Sequence, residues 1–295
     1  MRFRVPQLLK SLLCFGVTIM GWFVGGSSPA QAASPAIFDR TNLVAWCIVP
    51  FDAKKRGPEE RAQMLKRLGL SRLAYDWRAE HIPTFDAEIE ACQRHGIELT
   101  AWWFPSTLDK DARTILDVLE RHKTKTQLWV TGGGEPTKTP EEHSQRLKTE
   151  VERLRPIAEA ADRIGCRVGL YNHGGWFGEP ENQIEIIRAL GLKNVGIIYN
   201  LHHGHAHLAR FAELLQKMAP YLYAINLNGM VKDGDQSGKK ILHLGEGDQE
   251  LSLLKIIKDS GWKGAVGILD HRPETDSEET VGRNLRGLDA LRLQL

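Results

Sequence analysis

The sequence feature that most constrains the fold is a local pattern repeated along the chain: an amphipathic helical stretch, a glycine and a short apolar run. Five copies are LKRLGLSRLAYDW, CQRHGIELTAWWF, ADRIGCRVGLYNH, IRALGLKNVGIIYN and IIKDSGWKGAVGILDH. Glycine suits the left-handed residue that ends a helix, because it has no Cβ to clash with the preceding turn. Each copy therefore predicts a helix, a cap and a strand. The predicted caps are Gly69, Gly96, Gly165, Gly191 and Gly261.

Extended over the chain, the pattern predicts eight β/α units. Apolar runs such as LVAWCIV, VGIIY and AVGIL are continuous, as expected for parallel strands buried on both faces. Eight units in about 250 residues match an α/β fold of the (β/α)8 TIM barrel type. A doubly wound open sheet is less favoured, because Gly132-Gly133-Gly134 follows a middle strand and no G-x-G-x-x-G follows the first. The strands are expected near 43–49, 71–76, 97–103, 127–131, 166–171, 195–200, 222–227 and 264–270.

The first 32 residues have the pattern of a cleavable secretory signal peptide. Basic residues up to Lys10 precede an apolar run from Leu12 to Val24, and Ala30-Gln31-Ala32 forms an A-x-A cleavage site. The apolar run is shorter than the roughly 20 residues of a spanning helix, so an uncleaved anchor is less favoured. We therefore expect a signal peptide over 1–32, one barrel domain over 33–295, and an exported, periplasmic or secreted protein without stable membrane insertion.

Charge and cysteine content exclude several other classes of protein. The predicted signal contains three of the 39 basic residues and none of the 37 acidic residues, so the mature chain has 36 basic residues and a net charge of −1. A near-neutral domain lacks the electrostatic footprint of a nucleic-acid-binding protein. Cys47, Cys92 and Cys166 are widely spaced, which favours buried free thiols over a zinc cluster or a disulfide framework.

In a barrel of this type, the site is built where the strands end and the following loops begin. Aromatic and polar residues follow these predicted strand ends, and a mixture of flat apolar faces and amide groups suits a polyhydroxylated ligand such as a sugar. The alternative is that the tryptophans pack between barrel and helices and the asparagines satisfy loop backbone. The candidate ligand-binding residues are Asp76, Trp103, Asn172, Trp176, Asn200, His203, Asn226 and Asn228.

Four residues are candidates for acid or base chemistry at the same strand ends. Glu135 follows the three glycines after the fourth strand, where backbone can approach a ligand closely. His173 and His271 are candidate acids or bases, and Asp270 or Asp76 could orient them. The alternative interpretation makes Glu135 an exposed loop acid and the histidines hydrogen-bonded rim residues.

Four longer motifs resemble one known family. VGLYNHGG, VGIIYNLHHGH, LYAINLNG and HLGEGDQELSLLKIIKDSGWKGAVGILD are similar to strand ends of the xylose isomerase-like barrels, the sugar-phosphate isomerase/epimerase and endonuclease-four-like superfamily. The resemblance covers about residues 42–292. It implies a TIM barrel and a reaction that moves a proton next to a carbonyl group.

The resemblance also implies a divalent cation held by a Glu, an Asp, a His and a Glu. The matching positions in this chain are Tyr171, Asn200, Asn226 and Asp270, so one of four is an anionic or imidazole ligand. Such a set holds Mn²⁺, Mg²⁺ or Co²⁺ poorly, which leaves the cofactor and the metal ligands open. A substitute site for zinc or iron is an alternative, built from Glu135, His173, His202, His203 and His271.

The leading hypothesis is an exported enzyme that acts on a small-molecule sugar or sugar derivative by isomerisation, epimerisation or elimination. One alternative is a glycoside hydrolase that uses Glu135 and Asp270 as its carboxylate pair. Another is a non-catalytic carbohydrate-binding barrel that has lost the family's metal. Endonuclease activity is disfavoured, because the sequence shows no basic surface for nucleic acid. The oligomeric state is open.

Overall fold

The computed structural model describes residues 36–295, so the predicted signal peptide lies outside the described residues. In this part of the chain, eight parallel strands form a closed barrel in sequence order, with β8 paired to β1. This confirms the predicted (β/α)8 barrel. The strands are β1 (Leu43–Trp46), β2 (Arg72–Tyr75), β3 (Glu98–Phe104), β4 (Gln127–Val130), β5 (Arg167–Tyr171), β6 (Val195–Asn200), β7 (Leu222–Leu227) and β8 (Ala265–Leu269).

Helices follow every strand and cover the outside of the barrel. Short 3-10 segments at 79–84, 201–203 and 205–210 lie in the connections after β2 and β6. The longest connection without a helix, residues 228–249, follows β7 and crosses the rim. The α-helices are α1 (Pro58–Arg67), α2 (Phe85–His95), α3 (Lys110–Arg121), α4 (Pro140–Arg163), α5 (Gly175–Gly178), α6 (Pro180–Leu190), α7 (Phe211–Met218), α8 (Glu250–Asp259) and α9 (Ser277–Arg292).

The apolar core has two layers, one on each side of the barrel wall. A small cluster fills the interior and includes Val44, Trp46, Trp129, Tyr171 and Ile198. A much larger cluster packs the outer faces of the strands against the helices. Alternate residues of each strand therefore belong to different layers, as the pleat of a β-strand requires.

The predicted glycine caps are confirmed. Gly96 ends α2 with φ 63°, and its N–H bonds back to the last turn of that helix. The other four predicted caps also have φ between 67° and 75°. Strand limits agree with the expected ranges within a few residues.

The largest difference in strand limits is at β1, which ends at Trp46 and not at residue 49. Cys47 adopts φ 59°, which breaks the extended backbone there. The residues that follow turn over the rim of the barrel instead of continuing the strand.

The three cysteines of this part of the chain are buried free thiols, as expected. No helix within residues 36–295 is both long and apolar enough to cross a membrane.

Candidate functional site

A cavity of about 80 Å³ opens at the carboxyl ends of the strands, where the fold predicts a site. This volume is smaller than that of typical small-molecule pockets, roughly 300–1,000 Å³. Asp76 is the one carboxylate among the residues that line it. The lining residues are Trp46, Cys47, Phe51, Asp76, Arg78, Trp103, Tyr171, His173, His202, His203 and His271. We call this the central cavity.

Asp76 follows β2 and is buried against the interior of the barrel. Its Oδ1 accepts a hydrogen bond from the Val49 N–H at 3.3 Å, whereas Oδ2 has no protein partner among residues 36–295. Burial raises the pKa of Asp76 to about 7, although the nearby Arg78 guanidinium opposes the rise. The carboxyl group therefore changes charge close to neutral pH and has one oxygen available to a ligand.

Four imidazoles form one wall of the cavity. The ring centroids of His202 and His203 are 3.7 Å apart, those of His173 and His203 are 4.4 Å apart, and His271 is 6.1 Å from His202. Burial lowers the pKa of all four, to about 3 for His203, and the Lys240 ammonium lowers each further. Neighbouring imidazoles also lower the pKa of His202, His203 and His271. These rings are therefore neutral at pH 7, so each can donate one N–H and accept one hydrogen bond.

Aromatic rings form the opposite side and the floor. The Trp46 ring lies 5.8 Å from Trp103 and 5.9 Å from Tyr171, and the Trp46 indole N–H donates to the Tyr171 hydroxyl at 3.1 Å. Phe51 stacks on His271 with 4.0 Å between centroids. The cavity thus combines apolar faces with a few polar groups, as small-molecule sites commonly do.

Two lining residues have backbone conformations that are uncommon outside glycine. Cys47 has φ 59° and His271 has φ 56°, and the His271 N–H donates to the Cys47 carbonyl at 3.3 Å. Left-handed conformations cost free energy in residues with a Cβ, and they cluster at functional sites. Here they occur together at the junction of β8 and β1, where they place both side chains against the cavity.

Asn172 was predicted to bind ligand, and the structure gives it a different position. Its Oδ1 accepts from the Asn200 N–H at 2.6 Å, and its Nδ2 donates to the Asn200 carbonyl at 3.2 Å. Asn172 directly follows Tyr171, which faces the interior, so the pleat turns the asparagine outward. Its amide joins the ends of β5 and β6 and does not reach the central cavity.

Asp270 and Asn228 also lie outside the central cavity. The Asp270 carboxylate is sealed from solvent and accepts from the Ser277 hydroxyl at 2.6 Å, near the start of α9. Burial raises the pKa of Asp270 to about 8. Asn228 donates to the carbonyls of Gly229 and Lys240 and so supports the long connection after β7. Both side chains bind protein groups and are absent from the cavity lining, although Oδ1 of each has no partner within residues 36–295.

Glu135 and Trp176 are separated from the central cavity as well. The Gly134 carbonyl accepts from the Trp176 N–H at 2.7 Å, which ties the loop after β4 to α5 and leaves Glu135 exposed in a shallow outer depression. Trp176 is buried, and its indole N–H donates to His143 Nδ1 at 3.3 Å. The predicted pair of Glu135 and Asp270 therefore does not flank a shared cavity, as the hydrolase hypothesis requires.

Asn200 and Asn226 are fully buried at the ends of β6 and β7, with no hydrogen-bond partner for either side-chain amide within the described residues. They occupy two of the four positions at which the resemblance implies a metal. Of the other two, Tyr171 has its pKa held well above the ordinary range by burial, and Asp270 faces Ser277. A neutral phenol, two amides and a carboxylate that points elsewhere do not fit the hard cation of the family.

The substitute metal site has no geometric support either. Glu135 is remote from the four imidazoles, and across residues 36–295 no three His, Cys, Asp or Glu side chains converge as metal ligands.

The structure therefore brings five of the predicted site residues together: Asp76, Trp103, His173, His203 and His271. Sequence reasoning did not select Trp46, Cys47, Phe51 or Arg78 for the site, and it named Tyr171 and His202 only as positions of a metal site. The alternation of side chains along a strand could have identified Arg78. It lies two residues after Asp76 and so faces the same side of the chain.

A family model described as "Xylose isomerase-like TIM barrel" matches residues 50–291. The chain is 26% identical over 132 residues to "Uncharacterized protein MJ1311" of Methanocaldococcus jannaschii, a match that covers 42% of this chain and 44% of that protein. It is 26% identical over 149 residues to "Inosose isomerase" of Halalkalibacterium halodurans, covering 43% of this chain and 49% of that protein. The matched segments span about half the length of these curated relatives.

Among solved structures, 3-keto-D-glucoside 4-epimerase from E. coli is similar with a TM-score of 0.61. The identity is 16%, and the similarity covers 86% of this chain and 99% of that one. This likeness supports the fold alone.

Proposed function

The chain belongs to the xylose isomerase-like TIM barrel family, and on this premise we propose that it isomerises or epimerises a sugar derivative by proton transfer next to a carbonyl group. The observation that carries the proposal is Asp76: a buried carboxyl group with one unpartnered oxygen, in a cavity whose other titratable wall consists of neutral imidazoles. The name of one similar protein, "Inosose isomerase", supports the same class.

In the proposed mechanism, the ionised Asp76 takes a proton from the carbon next to the substrate carbonyl. The carbon–hydrogen electron pair becomes the double bond of an enediol, and negative charge develops on the carbonyl oxygen. A neutral imidazole can donate its N–H to that oxygen without first losing a proton, and His173, His203 and His271 are placed to do so. Return of the proton from Asp76 to the former carbonyl carbon gives the isomer, as the proton of the neighbouring hydroxyl moves to the enediolate oxygen. Protonation of the original carbon by a water molecule on the opposite face gives the epimer, and the hydroxide that remains takes up the proton of Asp76.

Aromatic side chains explain why a sugar is the proposed ligand class. Trp46 and Trp103 present flat apolar surface to the cavity, while the imidazoles offer donors and acceptors for hydroxyl groups. Elimination of water from the same intermediate is a further outcome of the same proton abstraction, because a hydroxyl on the next carbon can take the proton that Asp76 holds and leave as water while the carbonyl group forms again. We also propose that the protein acts after export, as its first 32 residues predict.

The test is exchange of substrate carbon-bound hydrogen with deuterated solvent, measured by NMR over a panel of keto and aldo sugars and sugar acids. The wild type is expected to exchange one such hydrogen, with a rate that rises as pH increases through about 7, where Asp76 ionises. Asp76→Asn removes the base and should lower the rate by about 10²–10⁴-fold.

Glu135→Gln provides the matched control, because it neutralises an exposed carboxylate outside the central cavity. Its exchange rate should stay within about twofold of wild type. Exchange that survives Asp76→Asn, or is lost in Glu135→Gln, contradicts the assignment of the base. A panel of sugars that bind without any exchange would instead favour the carbohydrate-binding barrel.

A further inference from the structure

Arg78 is the one arginine or lysine in the lining of the central cavity, and its charge is unbalanced there. Among the ion pairs that residues 36–295 form, none includes Arg78. By contrast, Arg56 in the connection after β1 is paired with Asp52 at 2.8 Å. An unpaired guanidinium beside a small-molecule cavity is available to an anionic group of the ligand.

The orientation of the guanidinium leaves one edge free. Its Nη1 donates to the carbonyls of Asp76 and Trp77 at 3.0 and 2.8 Å, and its central carbon lies 5.5 Å from the Phe51 ring centroid. These contacts hold the planar group in place. The opposite edge, formed by Nε and Nη2, makes no hydrogen bond to the described residues, and it presents two parallel donors of the kind that bind a carboxylate bidentately.

Among the residues that line the cavity, only Asp76 can oppose the charge of Arg78. The four histidines are neutral, and Asp76 carries a charge only on the alkaline side of its transition. Lys240 adds a second cation near the imidazoles and is partly balanced by Asp235 at 3.1 Å. The cavity is therefore neutral to positive, which disfavours a cationic ligand and favours an anionic one.

We propose that the substrate is a sugar acid whose carboxylate binds the free edge of Arg78. This inference rests on the proposed function for the choice of a sugar, and it adds the charged group that the site recognises. A carboxylate is favoured over a phosphate because it is planar and matches one guanidinium edge. Phosphate sites commonly combine several backbone N–H groups or clustered cations.

The test is equilibrium binding, by calorimetry and by fluorescence of Trp46 and Trp103, which line the cavity. The probes are hexuronates and hexonates, the uncharged hexoses that match them, and hexose 6-phosphates. In the wild type, at least one sugar acid should bind about tenfold or more tightly than its hexose. Arg78→Gln should reduce that ratio to within twofold, and Arg78→Lys should leave an intermediate ratio, because it keeps the charge and loses the planar fork.

Arg113→Gln is the matched control, since Arg113 is an exposed arginine of α3 outside the cavity, and its binding ratio should equal the wild-type ratio. Arg78 is itself exposed, and a thermal melt of each variant checks that the fold is kept. The proposal is overturned if hexoses bind as tightly as sugar acids, if phosphates bind more tightly, if the ratio survives Arg78→Gln, or if none of the probes binds.

The two proposals fail in different ways. Preferential binding of a sugar acid without solvent exchange contradicts the proton-transfer function and leaves the role of Arg78 standing. Exchange on uncharged sugars, with no preference for acids, contradicts the role of Arg78 and leaves the proton-transfer function standing.

Discussion

The inner and outer sides of the barrel rim differ sharply, although neighbouring residues supply both. Asp76 faces the central cavity, whereas Trp77 faces outward and donates its indole N–H to the Trp103 carbonyl at 2.7 Å. Tyr171 and Asn172 divide in the same way. A shift of one residue along the chain therefore separates a group that is available to a ligand from one that ties the barrel to its loops.

The two sides of the rim also differ in how the polar side chains are hydrogen-bonded. On the outer side, the Asn172 amide binds both the N–H and the carbonyl of Asn200, although Asp270 Oδ1 has no partner within residues 36–295. On the inner side, Asp76 Oδ2 and every side-chain amide atom of Asn200 and Asn226 have no partner within the same residues. Buried polar groups without partners cost free energy, so these two amides mark the inner side of the rim as one that meets a ligand or water.

The largest expected effect on stability is at the outer side. Asn172→Ala removes both hydrogen bonds to the Asn200 backbone and leaves buried groups unsatisfied, so the free energy of unfolding should fall by about 2–4 kcal/mol. Tyr171→Phe, its inner neighbour, loses one hydrogen bond from Trp46 and should cost about 1 kcal/mol. Urea denaturation of both variants measures these losses. Equal losses would show that the outer Asn172 and the inner Tyr171 contribute equally to stability.

The pH dependence of stability should differ between the buried acids of the two sides. Their folded pKa values lie above the unfolded value, so the folded state binds the proton more tightly and ionisation destabilises it. Stability is then present at low pH and is lost as pH rises through the folded pKa, about 8 for the outer Asp270 and about 7 for the inner Asp76.

Asp270→Asn removes the ionisation and keeps an acceptor for Ser277. The free energy of unfolding of wild type relative to this variant should fall by about 4 kcal/mol between pH 5 and pH 9, because the folded carboxyl group keeps its proton up to a pKa of about 8. The free energy of unfolding of wild type relative to Asp76→Asn should also fall as pH rises, and this fall should level off near pH 7. Denaturant titrations at several pH values measure both differences, and a relative stability that rises with pH would show that the carboxyl groups are not held neutral by burial.

The smallest effect concerns the left-handed residue at the inner rim. Cys47→Gly should be about 1 kcal/mol more stable than Cys47→Ala, because glycine adopts φ 59° without a Cβ clash. Cys92 lies buried inside α2, where the order should reverse, with Cys92→Ala about 1 kcal/mol more stable than Cys92→Gly. Thermal melts of the four variants check this, and the same order at both positions would mean that the conformation of Cys47 stores no strain.

Much of the fold could be predicted because its signals are local. Gly96 and the other four caps mark helix ends through a conformation that glycine adopts without a clash, and continuous apolar runs mark strands buried on both faces. About half of the chosen site residues were not brought together, because a list of strand ends does not say on which side of the wall each side chain lies. Asn172 and Asp270 were chosen for their position near strand ends, yet the pleat and the helix packing turn them outward.

The sequence alone determined the order of strands and helices, the closure expected of eight β/α units, and the rim at which polar groups gather, since each follows from periodicity and turn chemistry over a few neighbouring residues. Only the tertiary structure decided which of those groups share a cavity. Burial, and with it the pKa of Asp76 and the neutrality of the four histidines, depends on residues far apart in the chain. The free edge of Arg78 likewise depends on where Nη1 finds its carbonyls, a geometry that exists only once the barrel has closed.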